Sequence, residues 1–185
     1  MQYLENSEAL VGYKVRVEAR PAFWIVGYTM IVQPGEEDAV PRFARELMDD
    51  GRLVKLKATA PGPVWELGLG SWDAECPNLG YRYTVCIEET PGPALDALAR
   101  EYPLFRKEIG ASEWMCFEIN EQSGKDFWKD DPYKMMKVLG YRFYANSPSV
   151  GLHFDAFPPD YDQERNPIME FWITVAKRRG GMNSV

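Results

Sequence analysis

The order of periodicities constrains this chain more than any other feature: strand, helix, strand, strand, and then the same order again. Val15, Val17 and Ala19 alternate with Arg16, Glu18 and Arg20, the two-residue period of a half-buried strand. Pro21 interrupts, Phe23-Trp24-Ile25-Val26-Gly27-Tyr28 resumes as a more buried strand, and Pro34-Gly35 ends it as a turn. Val40, Phe43, Ala44, Leu47 and Met48 then form one apolar helical stripe. Glu36, Glu37 and Asp38 sit where the helix dipole favours anions, and Gly51 where a left-handed C-terminal residue belongs. Val64 to Leu69 and Tyr81 to Ile87 read as two more strands.

Pro91-Gly92-Pro93 marks a joint, with Ala94 to Arg100 as a short crossing helix. The order then repeats. Glu113 to Ile119 is a strand, and Asp126 to Leu139 is helical, restarted at Pro132 with Asp131 as N-cap. Val150 to Phe157 and Ile168 to Val175 are the closing strands. This predicts an α+β fold of duplicated strand-helix-strand-strand halves, with an antiparallel sheet, helices on one face and a ligand cleft between the halves. The face without helices is expected to be concave or open, a place where a ligand can sit. The expected organisation is a lead over 1–12, one domain over 13–178 with halves at about 13–90 and 100–178, and a tail over 179–185.

Composition excludes several functions. The chain has 185 residues, with 28 acidic against 21 basic side chains and a formal net charge of −7. An acidic total argues against direct nucleic-acid binding, which rewards a basic footprint. No apolar run approaches the roughly 20 residues of a membrane span. Cys76, Cys86 and Cys116 lack metal-type spacing, and His153 is the one histidine, so no metal and no cofactor are expected. Unpaired cysteines and an N-terminus without a signal-peptide pattern predict a cytoplasmic protein.

The closing strands carry the site-like pattern. Met169, Phe171, Ile173 and Val175 form one face of the last strand, and Ile168, Glu170, Trp172 and Thr174 the other. In the preceding strand, His153, Asp155 and Phe157 share a face, opposite Leu152, Phe154 and Ala156. Paired side by side, these strands are expected to bring Asp155 and Glu170 into one aromatic-walled cleft. Trp24, Tyr28, Trp65, Tyr83, Trp114 and Phe117 are candidates for other walls. A carboxylate in an apolar cleft has lost water, attracts cations, and gains from aromatic faces around its guest. The same group near neutrality can serve as a general acid or base. The structural alternatives stay open: an Arg, Lys or backbone partner for Glu170, a turn role for Asp155, a satisfied His153, and core roles for the tryptophans. Asp130-Asp131 reads as a helix cap and Cys116 as a small buried hydrophobe.

The segment Leu152-His153-Phe154-Asp155-Ala156-Phe157, a loop, and Ile168-Met169-Glu170-Phe171-Trp172-Ile173-Thr174-Val175 resembles the C-terminal signature of GyrI-like domains, also called the AraC-type bacterial effector-binding domain family. Arg20 to Tyr28 resembles the family's opening strand, and the likeness runs over about residues 13 to 178. The resemblance implies a pseudo-symmetric two-half domain whose cleft binds small, often cationic and hydrophobic effectors. It maps the pocket acid of the last strand onto Glu170 and its aromatic neighbour onto Trp172. It maps the acid and tyrosine of the preceding strand onto Asp155 and Phe157, a shorter acid and a lost hydroxyl.

The leading expectation is therefore a stand-alone binder of amphipathic, aromatic or cationic small molecules, the type of domain used in multidrug recognition and transcription regulation. One alternative is a small-molecule (xenobiotic) hydrolase in which Glu170 activates water. Another is a protein-interaction module, gyrase-directed or regulator-associated.

Overall fold

The computed structural model describes residues 3–36, 38–71, 80–143, 153–162 and 164–177, with the backbone alone for 121–125 and 177. The first half holds α1 (Ser7–Val11), β1 (Val15–Arg20), β2 (Phe23–Val32), α2 (Ala39–Asp49), α3 (Arg52–Lys57), β3 (Glu66–Ser71) and β4 (Tyr81–Glu88). Helix α4 (Pro93–Glu101) crosses over. The second half holds β5 (Phe105–Ile109), β6 (Ser112–Ile119), α5 (Glu121–Asp130), α6 (Pro132–Val138), β7 (Tyr141–Phe143), β8 (His153–Phe157) and β9 (Met169–Lys177). Asp131 caps α6 as expected, accepting from the backbone N–H groups of Tyr133 and Lys134.

All pairings are antiparallel, in the order β1-β6-β9-β8-β3-β4-β2-β5, with β7 alongside β9. The β3–β8 pair is the centre. From it the sheet runs outward as β4, β2 and β5 on one side and as β9, β6 and β1 on the other. The outermost strands are exchanged: β1 leads into β2 but pairs with β6, and β5 leads into β6 but pairs with β2.

The helices lie on one face of the sheet. Leu47, Leu53, Leu56, Leu95 and Leu98 of α2, α3 and α4 cover β2 and β4. Phe127, Met135 and Met136 of α5 and α6 cover β6 and β9. The opposite face is packed with strand residues, among them Phe23, Ile25, Leu67, Trp114, Phe154 and Trp172, and with Trp65 just before β3. In a flat sheet β2 and β8, three strands apart, would be separated by about 14 Å. The Phe23 and Phe154 ring centroids are 6.4 Å apart, so the sheet curls and closes this face on itself. The expectation of an open, ligand-accepting face opposite the helices is thereby corrected: its bulk is core, and the large opening lies on the helix-bearing face.

Four elements escaped the sequence reading for a shared reason. Helix α1 has five residues, α3 has six, β7 has three, and β5 is an edge strand in which Arg106 and Glu108 face solvent. None is long enough, or apolar enough on one face, to impose a period. Residues 150–152 of the expected strand Val150 to Phe157 fall outside the described residues. No described helix is long and apolar enough to cross a membrane.

Candidate functional site

The two helical layers leave the middle of the sheet uncovered, and a cleft of about 480 Å³ opens there. That lies within the range of sites for drug-sized ligands. Its floor is the β3–β8 pair with neighbouring residues of β4 and β9: Gly68, Tyr83, Asp155, Phe157 and Phe171. One wall is α2, through Val40, Ala44, Arg45 and Met48; the facing wall is α5, through Phe127 and Trp128. Met48 is 56% exposed and Trp128 is 53% exposed, so the mouth is rimmed by a thioether and an indole. Part of the apolar stripe of α2 is thus cleft wall and not core, while Leu47 is fully buried.

Gly68 makes the floor possible. A Cβ on it would stand 2.1 Å from the Tyr83 hydroxyl and 3.5 Å from the Asp155 Cβ. Its absence lets the Tyr83 side chain lean across β3 toward Asp155, where the hydroxyl donates to the carboxylate. Gly70, on the same face of β3, makes equal room for the His153 ring. Burial pushes the Asp155 carboxyl up to about 6, and the Tyr83 hydrogen bond only partly opposes it. Tyr83 is raised well above its ordinary value by burial and by the charge of Asp155. Among the described residues no arginine or lysine closes an ion pair with Asp155. His153, on the same face, is pushed down to about 4 by burial and stacks near Phe171 and Trp128.

Glu170 is placed elsewhere. In the β8–β9 register Asp155 faces Phe171, and Ala156 faces Glu170. Cross-strand partners point the same way and successive residues alternate, so Asp155 and Glu170 stand on opposite faces of the sheet. The expectation that they share one cleft is corrected by this one-residue offset. Glu170 lies on the curled inner side, where Arg16 Nη2 donates to its Oε2 at 2.8 Å and Arg16 Nη1 donates to its Oε1. The Trp172 indole Nε1–H adds a bond of 2.6 Å. Burial alone would lower the Arg16 pKa; its hydrogen bonds to Glu170, together with the negative charges of Glu170 and Glu18, outweigh it and hold the guanidinium charged. This is the structural partnership weighed above as the alternative for Glu170.

The other expected residues divide in the same way. Tyr83 and Phe157 reach the cleft. Trp172 is 3% exposed and packs near Trp65 on the inner side, where both border a smaller cavity of about 240 Å³. Trp114 is inner core. Phe117 is buried beneath α5, and Tyr28 lies beneath α3 with Arg52 over its ring. Trp24 is half exposed and stands outside the cleft. Trp128, Arg45 and Gly68 were not anticipated. The signal for the floor was present in Glu66-Leu67-Gly68-Leu69-Gly70, where glycine alternates with leucine. One face of such a strand is bare and must be filled by a neighbour or a guest.

No family model matches this sequence, and no curated protein matches it. The fold does have solved counterparts. SAV2435, in a structure with bound tetraphenylphosphonium, is 15% identical with a TM-score of 0.66, over 95% of this chain and 94% of that one. A protein from Staphylococcus aureus MU50 is 14% identical with a TM-score of 0.62, over 87% and 97% of the two chains. The EcmrR C-terminal domain is 13% identical with a TM-score of 0.51, over 89% and 98%. This is the GyrI-like fold. In GyrI-like terms the cleft occupies the junction of the two halves, and β3 and β8 are its floor. Among the described residues no group of three or more His, Cys, Asp or Glu side chains could hold a metal ion.

Proposed function

We propose that this protein binds a small amphipathic cation in the cleft between its halves, with Asp155 as the counter-charge. The observation that carries the reading is a partly buried carboxylate at the floor of a roomy aromatic cleft, hydrogen-bonded to Tyr83 and matched by no cation among the described residues. A cationic guest restores the charged form that burial disfavours. Phe157, Phe171, Tyr83 and Trp128 offer ring faces, each worth roughly 0.5–2 kcal/mol to a cation. The structure of SAV2435, with a lipophilic cation bound on the same fold, supports this reading.

The test is intrinsic tryptophan fluorescence during titration with a planar aromatic cation and its neutral isostere, at pH 8. Asp155→Asn should weaken the cation about tenfold or more, the worth of one hydrogen bond to a charged group, and leave the neutral isostere unchanged. Cation affinity should also fall as pH drops through about 6, where Asp155 takes up its proton. Equal losses for both ligands, or none for either, would overturn the anchor role.

A further inference from the structure

The charges lining the cleft are not of one sign. Asp155 stands at the floor, Glu66 contributes from β3, and Arg45 contributes from α2. Glu66 is matched by Lys57, whose Nζ lies 2.6 Å from its Oε2. The basic residues near Arg45 are also engaged: Arg42 with Asp38 at 3.3 Å, Arg52 with Asp50 at 2.7 Å and Lys55 with Glu101 at 2.6 Å. Arg45 itself is exposed, and among the described residues it closes no ion pair. Among the described residues the cleft therefore holds two charges without ionic partners: a carboxylate at the bottom and a guanidinium on the wall.

A guest carrying only a positive charge satisfies the first and is repelled by the second. A guest carrying only a negative charge meets Asp155 and the acidic total of the chain. A guest with a cation at one end and an anion at the other satisfies both. The guanidinium fork suits a planar carboxylate, which it can grip by two parallel N–H bonds. Resting on the binding role proposed above, we infer that the preferred ligand is an amphipathic zwitterion, with its cation on Asp155 and its carboxylate on Arg45.

The experiment uses a zwitterionic carboxy-rhodamine and its methyl ester, which differ in the carboxylate charge, titrated into the full chain and followed by dye anisotropy at pH 8. The wild type should prefer the zwitterion. Arg45→Gln should weaken the zwitterion by about two- to fivefold, as for a largely exposed ion pair, and leave the ester unchanged or tighter. Asp155→Asn should weaken both dyes. If Arg45→Gln affects both dyes alike while Asp155→Asn still weakens both, the zwitterion inference fails and the cation site stands. If Asp155→Asn leaves the ester unaffected, the underlying cation site fails as well. Failure of the wild type to bind either dye overturns both. Arg45 is on the surface, so circular dichroism of the variant checks that its fold is intact.

Discussion

Glu170 and Asp155 sit on adjacent strands, one residue out of register, and the protein treats them in opposite ways. Glu170 faces inward, gripped by two nitrogens of Arg16 and by the Trp172 indole. Asp155 faces outward into an open cleft with a tyrosine hydroxyl for company. Both have aromatic surroundings, so apolar context does not separate a structural carboxylate from a receptive one. The counter-charge does. A carboxylate already closed by a guanidinium has little left to give a guest, and removing either partner strands the other in a medium that penalises lone charge.

The comparison breaks most visibly at Glu170. Glu170→Gln removes the two-point counter-ion of the buried Arg16 guanidinium and leaves it only the part-exposed Glu18, whose Oε2 lies 3.2 Å from Arg16 Nε. The cost should be up to about 3–5 kcal/mol of stability, read as a lower urea midpoint. The folded fraction should still bind the cation with wild-type affinity. A cost below about 1 kcal/mol, or a selective loss of binding, would put Glu170 back in the ligand site.

Asp155→Asn should move stability the other way. The folded-state pKa of about 6 lies above the ordinary carboxylate value. The stability linked to this group is therefore full below the unfolded pKa and is lost as pH rises through about 6. Above that, the empty protein carries a charge it has poorly solvated. Asparagine removes the charge and should stabilise the ligand-free protein by about 1–3 kcal/mol at pH 8, with little effect near pH 4. Paired thermal melts at the two pH values decide it, and identical melts at pH 8 would mean that the carboxylate is well solvated.

The finest adjustment is at Gly68. The added Cβ of Gly68→Ala would collide with the Tyr83 hydroxyl and push it off Asp155. Losing a bond that favours the ionised form should raise the Asp155 midpoint by about one pH unit, the scale of a hydrogen bond to a charged group. Side-chain NMR titration of Asp155 reads this directly, and an unmoved midpoint would show that Tyr83 does not tune the acid.

Much of the fold was legible because long segments carry a clear period. Strands β2, β4, β6 and β9 and helix α2 announce themselves by alternation or by a stripe, and Asp131 by its place before Pro132. The site was legible only in part. Alternation sorts each strand into two faces, yet it says nothing about how one strand is offset against the next. His153, Asp155 and Phe157 were correctly grouped, as were Glu170 and Trp172. Only the pairing of Asp155 with Phe171 shows that these groups face opposite ways. Arg16, the partner that closes Glu170, is 154 positions away in the chain, and no local pattern could join them. Trp128 lay within a predicted helix, but its place at the cleft mouth depends on how that helix crosses the sheet.

The exchanged edge strands have a mechanical consequence. Because β1 and β5 each reach into the opposite half, neither half owns a complete sheet, and the joint between them is laced on both flanks. The floor of the cleft therefore has no hinge. Under the proposed binding role, adaptation to guests of different size falls to the overlying helices and the rim side chains Met48 and Trp128, which can shift without tearing a backbone ladder. The cleft then has a stiff base and compliant lips: the base would fix where the charge of a guest sits, and the lips would set how much shape variation around that charge is tolerated.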